Sequence, residues 1–158
     1  KDINIFCAHT NLDLAQGGTT DELIRVLGLS SCHSELVSES CSFLRFIESP
    51  STVTKLADKL KKISNNVRLV NNKNITTLKK IAFCAGSGSD FIQEAYENGA
   101  DALVTGDVKF HCALESPILI FDIGHFESEV LVLKVLKDLL PSDIEIIFAK
   151  EKSPFETL

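Results

Sequence analysis

Apolar positions along this chain fall into short runs separated by polar, glycine-rich punctuation. Ile3-Asn4-Ile5-Phe6-Cys7-Ala8 is short and partly β-branched, and reads as a buried strand. His9 to Asp13 follows as a polar loop, punctuated by Gly17-Gly18. Thr19 and Glu22 have capping-box spacing, and Leu23, Val26 and Leu27 give a helical face that stops at Gly28. Ser30 to Ser42 has no regular period and reads as a loop or insertion. Phe43 to Glu48 predicts a strand. Pro50, Ser51 and Thr52 then open a helix running to Ile63, with Val53, Leu56, Leu60 and Ile63 on one face. Val67 to Val70 predicts a short strand, and Asn71 to Asn74 a turn.

The second half alternates more regularly. Strands are predicted at Lys80 to Ala85, Ala102 to Thr105, Ile118 to Ile123 and Ile144 to Ala149. Helices are predicted at Phe91 to Asn98, Val108 to Glu115 and Glu127 to Leu140, the last stopped by Pro141. Strands alternating with helices argue an α/β fold with a mostly parallel sheet flanked by helices.

Size and charge narrow the picture. The 158 residues suit one α/β region spanning the whole chain, with 30–42 as its loop or insertion. Hydrophobic residues make up 44% and charged residues 24%, which excludes a disordered tail. A formal net charge of −6 disfavours a nucleic-acid backbone binder, since Lys and Arg are not in excess. No apolar run approaches the ~20 residues of a membrane span. Five cysteines without a CxxC pair argue against a zinc knuckle or a thioredoxin-type motif. Cys7 and Cys84, inside apolar runs, read as small hydrophobes, and a reducing, cytoplasmic setting is expected. The chain opens with Lys1 and enters a strand pattern at once, so further polypeptide upstream is expected.

Ligands of open α/β sheets bind past the carboxyl ends of strands. Those positions carry His9, Thr10, Asn11 and Asp13; the loop Gly86-Ser87-Gly88-Ser89-Asp90; Asp107, Lys109 and His111; and His125 with Glu129. Three of the four histidines therefore gather at one sheet edge. Imidazole with carboxylate suits zinc, manganese or iron, and bridging carboxylates suit paired metals. Each pair also has a plainer explanation. His125 and Glu129 are a helix-start pair, and His9 with Asp13 is compatible with an Asx turn. The glycine loop is either an anion cradle or a tight turn capped by Ser89 or Asp90. It is neither a Rossmann fingerprint nor a P-loop, and no Gly-x-Ser-x-Gly elbow occurs.

Three blocks resemble a known family. Ala8-His9-Thr10-Asn11-Leu12-Asp13 with Gly17-Gly18 resembles the AHTNLD…GG motif of the Nif-three-like dinuclear metal proteins, the GTP cyclohydrolase I type 2 homologues. Cys84 to Gly88, Gly99-Ala100-Asp101 and Thr105 to His111 resemble that family's GGSG…GAD…TGDIKYH block. Asp122 to Glu129 resembles its DAGHYxSE block. The resemblance implies a two-lobed α/β fold, here without its N-terminal part, a site for two divalent ions and a ring-shaped homohexamer. It implies Asp13, His125 and Glu129 as metal ligands, with Asp13 and Glu129 bridging. It places His9 beside the site, as a ligand or a partner of one, and His111 and Asp107 near the cleft. Family members add ligands from an upstream His-His pair, and this chain contains none.

Two functions follow as expectations. One is metal-dependent hydrolysis of a small nucleotide or phosphoester-like molecule, with His9 or His111 moving protons. The other is a non-catalytic metal-binding or assembly protein, or an inactive fragment of the family.

Overall fold

The computed structural model describes residues 2–29 and 42–155. Cys32, His33, Cys41 and nearly all of the irregular 30–42 stretch lie outside the described residues. In chain order the elements are α1 (Thr10–Leu14), α2 (Thr19–Val26), β1 (Arg45–Thr52), α3 (Val53–Leu60), β2 (Arg68–Val70) and β3 (Thr77–Ser87). A 3-10 turn at Ser89–Phe91 leads into α4 (Ile92–Glu97), followed by β4 (Ala102–Gly106), α5 (Phe110–Glu115), β5 (Leu119–Asp122) and α6 (His125–Glu129). A second 3-10 turn, Val130–Val132, joins α6 to α7 (Leu133–Leu139).

One sheet orders the strands β1-β3-β4-β5-β2. The central β3, β4 and β5 run parallel, as the alternating pattern predicts, and the two flanking strands run antiparallel. The parallel centre is apolar on both faces because both faces are covered. Ile81 and Phe83 of β3, Val104 of β4 and Phe121 of β5 face one layer, with Leu23, Leu56 and Leu60 from α2 and α3. The alternate residues Ala82, Leu103 and Ile120 face the other, with Ile92 and Ala95 of α4. The period of two along each strand thus divides one sheet between two cores.

Several expectations are corrected. Residues 3–8 form no strand: no ladder pairs with them, and Ile5 and Phe6 stand 91% and 84% exposed. An apolar, β-branched run becomes a strand only when a neighbour takes its backbone groups. The same holds for residues 144–149, where Ile147 is 81% exposed. Cys7 is accordingly exposed, whereas Cys84 is buried as expected. The polar loop after residue 8 contains the one-turn helix α1. The capping box at Thr19 is absent: Gly18 is the N-cap, no side chain caps the helix, and Glu22 is drawn to Arg25 instead. The long helix expected from Glu127 starts at His125 and is interrupted by the 3-10 turn.

A candidate metal centre at the carboxyl ends of the parallel strands

Parallel pairing brings two distant loops together. β4 and β5 are in register from Ala102 with Leu119 to Thr105 with Asp122. The residues just beyond these ends, Asp107 and His125, therefore leave the sheet side by side. Gly106 lets the two loops touch, since an added Cβ there would lie 2.7 Å from the backbone of Gly124 and His125. Gly124 makes the turn into α6 at φ +87°, a conformation costly for any residue with a Cβ.

Two hydrogen bonds then define the imidazole of His125. Its Nδ1 meets Asp107 Oδ2 at 2.7 Å, and its Nε2 meets Glu129 Oε1 at 3.1 Å. The second contact follows from helical spacing, since residues four apart share a face of α6. Gly86 lies against this pair: a Cβ there would overlap the Glu129 carboxylate and come within 3.5 Å of His125 Nε2. The Gly86 loop is fixed by three hydroxyls. Gly86 N donates to Ser128 Oγ at 2.8 Å, and Ala85 N donates to Thr20 Oγ1 at 3.2 Å. Thr105 Oγ1 donates to Gly86 O and accepts from Gly88 N.

The protonation of the pair shows what surrounds it. Burial lowers the His125 pKa, but the hydrogen bond to Asp107 and the charges of Glu129 and Asp107 outweigh it, and the imidazole sits above its ordinary value. Glu129 is also raised. Burial is the largest cause, and the charge of Asp13 adds to it; His125 and His9 pull the other way. An ion pair alone would depress a carboxyl, so here burial and a second carboxylate prevail. The same neighbourhood pushes the Cys84 thiol up to about 12, through burial first and then the charges of Asp13, Glu94 and Glu129.

The structure thus brings His125 and Glu129 together, with Asp13 and His9 in electrostatic reach of Glu129. Asp13 is half-buried in α1, and His9 is the exposed residue at its start. Arg45 anchors this helix to the sheet edge by donating to Leu14 O at 3.1 Å and pairing with Asp21. His111 is not part of the cluster. It lies on exposed α5, in edge-on contact with the Phe110 ring. The capped turn expected of the glycine loop is not formed: no side chain caps the 3-10 turn or α4, Asp90 pairs with Lys109 at the surface, and the Ser89 hydroxyl donates to Asp107 O and accepts from Lys109 N. Asp107 turns out to be the direct partner of His125. The sequence reading included Gly86, Thr105 and Ser128 in its motif blocks but not their contacts, and it gave Arg45 no role, because nothing in their spacing shows what they touch.

The donor set fits a divalent metal in part. His125 Nε2 and Glu129 Oε1 lie 3.1 Å apart, so an ion held by both would part this pair, and Asp107 on the far nitrogen would leave Nε2 as the ligand. Among the described residues, however, no group of three His, Cys, Asp or Glu side chains is arranged to hold an ion.

Residues 1–154 match the model of the Duf34/NIF3 family (NGG1p interacting factor 3), and the chain belongs to that family. It is 36% identical over 171 residues to a "GTP cyclohydrolase 1 type 2 homolog" of Clostridium perfringens, covering 99% of this chain and 65% of the relative. A protein of the same description from Campylobacter jejuni is 34% identical, covering 99% and 63%. The chain therefore spans somewhat under two-thirds of the length of these relatives. Among solved structures, a hypothetical protein of Staphylococcus aureus, SA1388, superposes with a TM-score of 0.69 at 26% identity, covering 83% of this chain and 58% of that one. Protein ybgI superposes with a TM-score of 0.77 at 23% identity, covering 93% and 61%, and shows the shared fold alone.

Proposed function

We propose that this chain contributes His125 and Glu129, with Asp13, to a divalent-metal centre for hydrolysis of a small nucleotide or phosphoester-like molecule. One observation carries the reading: Asp107 holds the imidazole of His125 by Nδ1, with Nε2 and the Glu129 carboxylate 3.1 Å apart beside Gly86. A bound divalent cation, zinc, manganese or iron, supplies Lewis acidity and a water of lowered pKa. Asp13 and Glu129 are the carboxylates that would hold such ions. His9, exposed at the start of α1 and acting on the charge of Glu129, would move a proton to or from solvent in this reading. The nucleotide class is supported by what the relatives are called, and the free thiols of Cys7, Cys84 and Cys112 support a reducing, cytoplasmic setting. Among the described residues no helix is long and apolar enough to cross a membrane.

Self-assembly belongs to the same reading. Ile5, Phe6, Phe110, Leu114 and Ile147 are exposed, and surface of that character favours burial between copies, for which a homohexamer is proposed. One observation favours a second reading, a metal-binding or assembly role without catalysis: the described residues supply no third ligand in place.

The test is metal content by plasma mass spectrometry after dialysis, with zinc titration by calorimetry, on this chain and on Glu129→Gln. Tight binding that Glu129→Gln weakens at least tenfold supports the centre. Equal affinity in both removes Glu129 from it. A chain that binds an ion but hydrolyses no nucleotide or phosphoester leaves the non-catalytic reading in place.

A further inference from the structure

Asp122 is a buried carboxylate outside the cluster described above. It ends β5 with its side chain 3% exposed. Its Oδ2 accepts from Val108 N at 3.0 Å and from the guanidinium of Arg68, its register partner on β2. Its Oδ1 accepts from Gly124 N at 3.0 Å. Val108 follows Asp107, and Gly124 precedes His125. One carboxylate therefore grips both loops, each a single residue away from a partner in the 2.7 Å Asp107–His125 bond.

Both loops need such a grip. Asp107 has φ +52°, unusual for a residue with a side chain, and Gly124 has φ +87°. Asp107 and His125 are each nearly half exposed, so packing alone does not fix their side chains. Helix α6 has five residues and no side-chain cap at its start. The Gly124 amide is satisfied instead by Asp122. Arg68 supplies the counter-charge that a buried carboxylate requires.

We propose that Asp122 is a positioning residue: it clamps the 107–108 and 124–125 turns so that Asp107 holds the Nδ1 proton of His125 and Nε2 is presented as the donor. The clamp itself is independent of any metal. Its consequence for ion binding rests on the reading of His125 given under the proposed function.

Asp122→Asn keeps the shape but replaces one acceptor oxygen with an NH2 group, which faces an amide donor and releases one turn. The tautomer of His125 is read from the ring 15N shifts by NMR, at a pH high enough that those shifts no longer change with pH. In the unaltered chain the proton is expected on Nδ1. In Asp122→Asn it is expected to shift toward Nε2, with zinc affinity falling about 10- to 100-fold. Unchanged tautomer and zinc affinity in a folded variant overturn the proposal. Arg68→Gln, which keeps a donor on the carboxylate, should leave the tautomer unmoved; if it shifts the ring as Asp122→Asn does, charge and not the two backbone bonds is responsible, and the clamp is wrong. A tautomer shift in a chain that binds no zinc upholds the clamp and removes the metal reading. If Asp122→Asn does not fold, hydrogen exchange decides: slow exchange of the Val108 and Gly124 amides in the unaltered chain supports the clamp, and exchange at the rate of exposed amides overturns it.

Discussion

Gly86 and Glu129 touch where no side chain fits between them: a Cβ on Gly86 would overlap the Glu129 carboxylate, and Gly86 itself has φ +69°. Gly86→Ala is expected to lose about 1–2 kcal/mol from the backbone alone. It should also push Glu129 away from His125. Urea unfolding measures the first effect. Zinc calorimetry measures the second, with a loss of at least tenfold expected. An unaltered affinity would show that the carboxylate's present position is unimportant for the ion.

Asp107→Asn tests the imidazole's orientation without changing its surroundings much. The amide can turn its NH2 toward Nδ1, which then becomes the acceptor and leaves the proton on Nε2. Zinc affinity is expected to fall about 10- to 100-fold while the circular dichroism spectrum stays the same.

Thr105 is fully buried, and its hydroxyl serves both Gly86 O and Gly88 N. Thr105→Val keeps the volume and strands the Gly88 amide. The expected cost is about 1–3 kcal/mol, measured by urea unfolding. A neutral substitution would mean that water reaches this loop.

Cys84 gives the pH dependence. Only the thiolate reacts with iodoacetamide, and burial with Asp13, Glu94 and Glu129 holds the thiol's pKa at about 12. At pH 8 roughly one Cys84 in ten thousand is ionised, against about one in four for a free cysteine. Alkylation followed by peptide mass mapping should find Cys84 about a thousandfold slower than a model thiol. Its rate should still climb about tenfold per pH unit between 8 and 10, where a model thiol levels off. A plateau below pH 10 would contradict the buried, anionic neighbourhood.

Replacing Cys32 and Cys41 with Ser should leave metal content unchanged. Loss of bound zinc, followed by plasma mass spectrometry, would assign ligands to the irregular stretch.

Much of the fold was legible because β3, β4 and β5 are buried on both faces and so appear as unbroken apolar runs. Their carboxyl ends, and with them His125 and Glu129, could be placed from the same pattern; Asp13 was placed after a strand at residues 3–8 that does not form, and it lies in α1 instead. Residues 3–8 and 144–149 were misread for a physical reason: a strand's apolar pattern says nothing about whether a neighbouring backbone exists to pair with it. The helical spacing of His125 and Glu129 was visible, but the Asp107 contact was not, since it depends on the register of β4 against β5. Asp122 and Arg68 were invisible as a pair for the same reason, lying 54 residues apart on strands that meet only in the sheet.

The parallel centre also governs when the cluster can come into being. Asp107 and His125 are 18 residues apart, and docking β5 beside β4 is enough to bring them together. Asp13 is more than a hundred residues from Glu129, and reaches its neighbourhood across the whole intervening sheet. Loop closure grows costlier with length, though slowly, and distant contacts form late. An ion that needs Asp13 as well as His125 and Glu129 would therefore recognise only the finished sheet, because its site includes the longest of these loop closures.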